Sequence, residues 1–159
     1  MSWIRALHSL ISGWAIAGGL LLLAVVCVNV FSVLGSAFFG KPFPGDFELT
    51  EVGVCVAVFC FLPYCQLTRS NVSADLFSAG ASRRTLAVFS FCGSLAALLF
   101  SSLLLWRMYA GMLDQKAYEY TTAILQFPHW MAFVPILVSL ALLVLASFMT
   151  MIGKEATSP

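Results

Sequence analysis

Charged side chains are scarce in this sequence. Only 9% of its 159 residues are Asp, Glu, Lys or Arg, whereas 61% are hydrophobic and the mean hydropathy is +0.97. A typical soluble domain has about 25% charged residues with which to cover its surface, so the composition argues against a soluble enzyme and a disordered protein. The net charge of +1 provides no basic field for a polyanion, and we expect no nucleic-acid partner. The chain is predicted to be a membrane protein that contacts the lipid bilayer.

Paired cysteines are also missing. All five cysteines lie in apolar runs, and no two of them form a C-x-x-C pair. A membrane thiol oxidoreductase needs paired thiols near water, where thiolates can form, so the sequence argues against such an enzyme. Because the composition also argues against a soluble enzyme, we predict that the protein is not an enzyme. The cysteines are interpreted as small buried apolar side chains. They are Cys27, Cys55, Cys60, Cys65 and Cys92.

Charge is absent from the middle of every long apolar stretch. Four stretches are long enough to span a bilayer, which takes about 17–25 residues. They cover residues 11–39, 52–68, 86–106 and 130–152. No Asp, Glu, Lys, Arg or His lies near their midpoints, although ion and proton pathways usually contain such residues.

His8 and His129, predicted at opposite ends of the bundle, cannot both bind one haem. We therefore expect a chain that binds no cofactor and moves no substrate by itself.

The few basic residues predict the orientation in the membrane. Five of them would lie on the side of both chain termini and three on the opposite side, and cytoplasmic loops are enriched in basic residues. Both termini are therefore predicted to be cytoplasmic, in an all-α fold with four transmembrane helices and one domain over residues 1–159. The outer face would carry three basic and five acidic side chains, a sum of −2. These are Lys41, Arg107, Lys116, Asp46, Glu48, Glu51, Asp114 and Glu119.

Two connecting segments have more specific patterns. Residues 38–51 read FFGKPFPGDFELTE, and their acidic side chains come where the second helix begins and its dipole favours negative charge. Glu48 and Glu51 are predicted either to cap this helix or to contact a partner. Residues 69–84 read RSNVSADLFSAGASRR and are predicted to form a short interfacial helix between helices 2 and 3, with a solvated loop as the alternative.

Small residues recur at four-residue spacing in three of the predicted helices. Such pairs allow the backbones of membrane helices to approach closely, so we predict helix contacts there, either within this chain or with another. The pairs are Gly13/Ala17, Ala15/Gly19, Gly53/Ala57 and Gly93/Ala97.

Three motifs in a fixed order carry a family resemblance. Glu48 and Glu51 open the second helix, and the basic stretch 69–75 (RSNVSAD) then leads to an acidic residue. The fourth helix starts with residues 127–130 (FPHW) and has a second proline, Pro135, shortly after them. In this order the motifs resemble the small membrane subunit of tripartite ATP-independent periplasmic (TRAP) transporters, the DctQ-like family. The resemblance covers nearly the whole chain.

Two features depart from the family pattern. Pro63 stands where many members have Gly, and the two acidic residues at the start of the second helix are three positions apart rather than adjacent.

The resemblance implies a complex of three components in the bacterial inner membrane and periplasm. A large membrane subunit would hold the substrate and sodium sites and move as an elevator, while a periplasmic binding protein would deliver an organic acid. This chain would be the non-catalytic scaffold of the large subunit. The residues predicted to form a subunit interface or to anchor helices are Glu48, Glu51, Arg69, Asp75, Pro128 and Trp130. The residues predicted to contact the binding protein are Asp114 and Glu119.

Two other functions remain open on the sequence. An independent small exporter would need an intramembrane carboxylate, and the first apolar stretch has Asn29 and Ser32 instead. An unrelated membrane assembly or anchoring protein would have the same composition as a transporter subunit.

Overall fold

The computed structural model describes residues 2–68 and 83–151, and in these ranges the chain forms four α-helices. They are α1 (Ser2–Phe39), α2 (Asp46–Leu67), α3 (Arg83–Ala117) and α4 (His129–Met151). All four are long and apolar enough to cross a membrane. This confirms the predicted all-α fold with four candidate membrane helices. The interfacial segment predicted between the second and third helices falls on residues 69–84 and lies almost entirely outside the described residues.

The helices differ in length by almost a factor of two. Helices α2 and α4 have 22 and 23 residues, or about 33–35 Å at 1.5 Å per residue, close to the hydrocarbon thickness of about 30 Å. Helices α1 and α3 have 38 and 35 residues, or about 52–57 Å. The two long helices must therefore tilt or project beyond the hydrocarbon layer.

The helices are arranged as a row in the order α1, α2, α4, α3. The main packing contacts are those of α1 with α2, α2 with α4, and α4 with α3. The two short helices consequently occupy the middle, and each long helix lies at an edge. All four helices have an end where the α1–α2 loop (residues 40–45) meets the α3–α4 loop (residues 118–128), and this is called the loop end below.

The α1–α2 contact depends on glycines that leave room for the opposite helix. A Cβ atom on Gly18 would lie 2.5 Å from Cys60 Cβ, and one on Gly53 would overlap the side chain of Val25. The contact predicted at Gly53 therefore exists within this chain. Gly13 and Gly93 have open space around them, so these two glycines make no close helix contact among the described residues.

The centre of the row combines an apolar core with paired polar groups. Val56, Cys60, Ile136 and Leu140 form the main cluster between α2 and α4. Next to it Trp14 Nε1 donates a hydrogen bond of 2.9 Å to the hydroxyl of Ser139, which in turn donates to a backbone carbonyl of α4. Because membrane helices have little hydrophobic drive to associate, such interhelical hydrogen bonds help to select the packing.

The prediction that the cysteines are buried is wrong for three of the five. Cys60 is buried between α2 and α4, but Cys27, Cys55 and Cys92 are exposed on the surface of the helix row. Thiols are apolar enough to face lipid or another apolar protein surface, so the apolar runs around them did not reveal which side they face.

Candidate partner-binding surface at the loop end

The first turns of α2 bind α1 through a set of polar contacts. Ser32 of α1 donates a hydrogen bond to the carboxylate of Asp46 and accepts one of 3.1 Å from the backbone N–H of Phe43. One turn away, Asn29 Nδ2 donates to Thr50 Oγ1 over 2.7 Å, and this hydroxyl donates to the Asp46 carbonyl. The polar residues of α1 that sequence analysis noted as substitutes for an ion-path carboxylate therefore hold two helices together.

Glu48 binds a loop that is distant in sequence. Its two carboxylate oxygens accept hydrogen bonds from the backbone N–H groups of Ile124 and Leu125, at 2.7 and 2.9 Å. The side chain of Leu125 also lies over Gly45, where an added Cβ would come within 2.5 Å of it. Gly45 has a φ of 81°, a conformation that suits glycine. Glu48 thus joins the start of α2 to the α3–α4 loop.

The α3–α4 loop has regular hydrogen bonds of its own. Backbone N–H and carbonyl groups pair between Thr122 and Phe127 and between Tyr120 and His129, each at 3.0 Å, and the Thr122 hydroxyl accepts a second bond from the Phe127 N–H. These bonds close a small hairpin whose tip, residues 123–126, carries the two N–H groups that Glu48 binds. The conformation of the loop is therefore determined by its own backbone hydrogen bonds and by its contact with α2.

Two residues of this loop have strained backbones. Glu119 and Gln126 have φ values of 51° and 54°, and they are the only non-glycine residues with positive φ in the described ranges. The left-handed conformation costs an ordinary residue roughly 1–2 kcal/mol, so it persists where the surrounding contacts enforce it. At Glu119 the conformation belongs to the end of α3, where the Glu119 and Tyr120 N–H groups bond to the Lys116 and Gln115 carbonyls in the pattern of a Schellman cap. Gln126 lies in the hairpin tip, next to the N–H groups that Glu48 binds.

The acidic side chains predicted to act at this end have different environments. Both carboxylate oxygens of Glu48, a first-turn residue of α2, bind the loop, which is compatible with the helix-anchoring role named for it. Glu51 is exposed, and no hydrogen bond or ion pair joins it to another described residue. Asp114 and Glu119 are likewise exposed and unpaired among the described residues, with Asp114 on the last turns of α3 and Glu119 in the loop.

Pro128 and Trp130 lie at the start of α4. Pro128 precedes the helix, its carbonyl accepts a 3.1 Å hydrogen bond from the Met131 N–H, and it pairs with Thr121 across the hairpin. The ring of Trp130 lies 5.4 Å from Lys116 Nζ at the end of α3, within range of a cation–π contact. Both residues are thus placed where they connect α3, the loop and α4. Arg69 and Asp75 lie outside the described residues.

Several residues that build this surface were not predicted from the sequence. Gly45 and Thr50 form contacts between elements, Ser32 binds Asp46, and Thr122 closes the hairpin. The Gly-Asp step at residues 45–46, just before the acidic start of α2, is a recognisable turn and helix-start signal. No local pattern identifies the partner of Glu48, because that contact joins residues 76 and 77 positions apart.

Fold and surface together define a class of protein. The chain is a small multi-pass helical membrane protein with apolar edge helices and one polar, structured end. Its residues 22–156 match the family model described as tripartite ATP-independent periplasmic transporters, DctQ component. This match covers more than four fifths of the chain, and the chain belongs to that family. It is a small membrane subunit of a TRAP transporter. A search of curated proteins returns no match.

Proposed function

We propose that this chain is the non-catalytic scaffold of a sodium-coupled TRAP transporter in the bacterial inner membrane. In this proposal it braces the large elevator subunit during uptake of an organic acid that a periplasmic binding protein delivers. The observation that carries the proposal is the row of helices, in which α1 and α3 each pack mainly against one neighbour. Two long apolar edges are thereby left for contacts outside the chain.

The exposed edge of α1 has the pattern of a helix-packing surface. Five large apolar side chains, each at least 46% exposed, recur at intervals of three, four or seven residues, which places them on one side of a helix. They are Ile16, Leu20, Leu23, Val30 and Leu34. A helix of the large subunit packed on such an edge would widen the immobile part of the complex, as the scaffold role requires.

The interior of the row offers little to a transported ion or substrate. No charged residue or histidine lies near the middle of any apolar stretch, and the polar side chains Trp14 and Ser139 at the centre are bonded to each other. Sodium and carboxylate substrates need charged or strongly polar ligands inside the membrane. The proposal therefore assigns their sites to the large subunit.

Glu51 is the acidic residue at the start of α2 that is available to the large subunit. Glu51→Gln should reduce co-purification of the two subunits, because it removes a charge that no described residue pairs. The abundance of this chain should stay unchanged, since an exposed helix-end carboxylate contributes only about 0.3–1 kcal/mol. Asp114→Asn is the matched control, because it removes one exposed carboxylate from the same end and should leave co-purification intact. A parallel loss of abundance and co-purification would instead assign Glu51 a folding role.

The other candidate residues form three groups in this proposal. Pro128 and Trp130 are proposed to anchor the start of α4 against α3 and the loop, in agreement with their contacts. Arg69 and Asp75 stay candidates for the subunit interface or for helix anchoring. Asp114 and Glu119 are proposed to face the binding protein.

The loop end is proposed to face the periplasm, with both termini in the cytoplasm. Single cysteines at Lys116 and Ser82 in a cysteine-free background should react with an impermeant maleimide from opposite sides. The cysteine at position 116 should react in cells with a permeabilised outer membrane and an intact inner membrane, and the one at position 82 only after the inner membrane is disrupted. The reverse pattern would invert the orientation, which rests on the five-to-three distribution of basic residues.

A further inference from the structure

The α3–α4 loop combines features of a preformed recognition surface. It contains the two strained non-glycine residues, Glu119 and Gln126, and its tip is bound to α2 by Glu48. At Glu119 the positive φ belongs to the cap that ends α3, where the Tyr120 N–H bonds to the Gln115 carbonyl. This cap, the hairpin bonds and Glu48 give the loop a defined conformation before any partner arrives.

The side chains at the base of the loop point to a protein partner. Tyr118 and Tyr120 are 72% and 54% exposed, and their ring centroids lie 5.8 Å apart. The strained Glu119 between them has a carboxylate that no described residue pairs, and the unpaired Asp114 lies one turn earlier. Tyrosine is enriched in protein interfaces, and unpaired carboxylates complement a basic surface.

We propose that Glu48 is a positioning residue for docking of the periplasmic binding protein. By holding the hairpin tip against α2, it fixes the acidic tyrosine surface (Asp114, Tyr118, Glu119 and Tyr120) in the conformation that a basic patch of that protein contacts. This inference rests on the proposed function, because it requires the loop end to face the binding protein. A fixed loop favours docking because less conformational entropy is lost when the partner arrives.

Glu48 is not itself part of the acidic tyrosine surface that it positions. Its carboxylate is occupied by the backbone N–H groups of Ile124 and Leu125, so it acts through the loop. Gln has one acceptor oxygen in place of two, and its amide group would face an N–H donor. Glu48→Gln should therefore release one of the two bonds and loosen the hairpin tip.

The test uses this chain assembled with its large subunit in proteoliposomes, with the binding protein added at increasing concentration. For Glu48→Gln, hydrogen exchange at the Ile124 and Leu125 amides should accelerate, and the half-saturating concentration of binding protein should rise about three- to tenfold. The maximal uptake rate and co-purification with the large subunit should be retained. Glu51→Gln makes the same charge change on the same helix. Compared with the unchanged chain, both measured as the purified subunit so that association with the large subunit plays no part, it should leave the exchange of both amides at its original rate.

A second variant tests the surface with the Glu48 contact intact. Replacing both Tyr118 and Tyr120 by Ala should raise the half-saturating concentration at least as much, without faster exchange at the hairpin tip. The inference is overturned if either variant leaves the half-saturating concentration unchanged. It is also overturned if Glu48→Gln lowers the abundance of the subunit, because Glu48 would then be a folding residue. Uptake by the other two components without this chain would refute the proposed function itself.

Discussion

Reconstituted alone into proteoliposomes, this chain should give no sodium-driven uptake of an organic acid. With its large subunit and binding protein, uptake should appear, and we expect the contrast to be all-or-none. The reason is that no charged residue or histidine lies near the middle of any of the four apolar stretches, together with the bonding of Trp14 to Ser139 and of Asn29 to Thr50. In an ion pathway, polar groups must be able to give up a hydrogen-bond partner within the protein in order to bind the ion.

The reconstitution needs two controls to be decisive. Orientation and folding of the single chain should be checked by its circular dichroism and by the labelling pattern at position 116. Liposomes that contain the large subunit and the binding protein without this chain should show little uptake. Sodium-dependent uptake by this chain alone would contradict the scaffold role and favour the small-exporter alternative.

The helices could be predicted because the membrane imposes a strong local requirement. About 20 apolar residues are needed to cross a bilayer as a helix, and that pattern is visible without knowledge of the fold. The first and last residues of the helices were harder to predict. Helix α2 begins at Asp46, six residues before the apolar stretch, because acidic residues are favourable in a first turn. Helix α3 continues to Ala117, eleven residues after the predicted stretch ends.

Contacts between elements could be predicted only in part. Gly53 was expected to contact a neighbouring helix and does, but Gly18, which approaches Cys60 just as closely, was not singled out. Small residues are common in membrane helices, so spacing alone does not show which side faces the neighbour. The partners of Glu48 lie more than 70 positions away, and only the folded chain brings that carboxylate to the tip of the hairpin.

Charge reversal on the acidic tyrosine surface should have the second large effect. Replacing both Asp114 and Glu119 by Lys changes the summed charge of the eight side chains assigned to the outer face by +4, from −2 to +2. Folding should tolerate the change, since Asp114 lies near the C-terminal end of α3, where the helix dipole favours a cation. Glu119 is exposed and keeps its strained backbone with either side chain. Complex assembly with the large subunit should therefore be normal.

The effect of the reversal should fall on the rate at which the binding protein associates. Electrostatic steering changes association rates by roughly 10-fold or more, so uptake at low binding-protein concentration and about 0.05 M salt should slow roughly tenfold, while uptake at saturation changes little. At about 0.5 M salt the difference should shrink, because screening shortens the range of the field. The neutral pair Asp114→Asn and Glu119→Gln, with half the charge change, should give an intermediate slowing. Unchanged kinetics in the double reversal, with normal assembly, would show that the binding protein docks away from this surface, because a partner steered by these carboxylates must respond to their inversion.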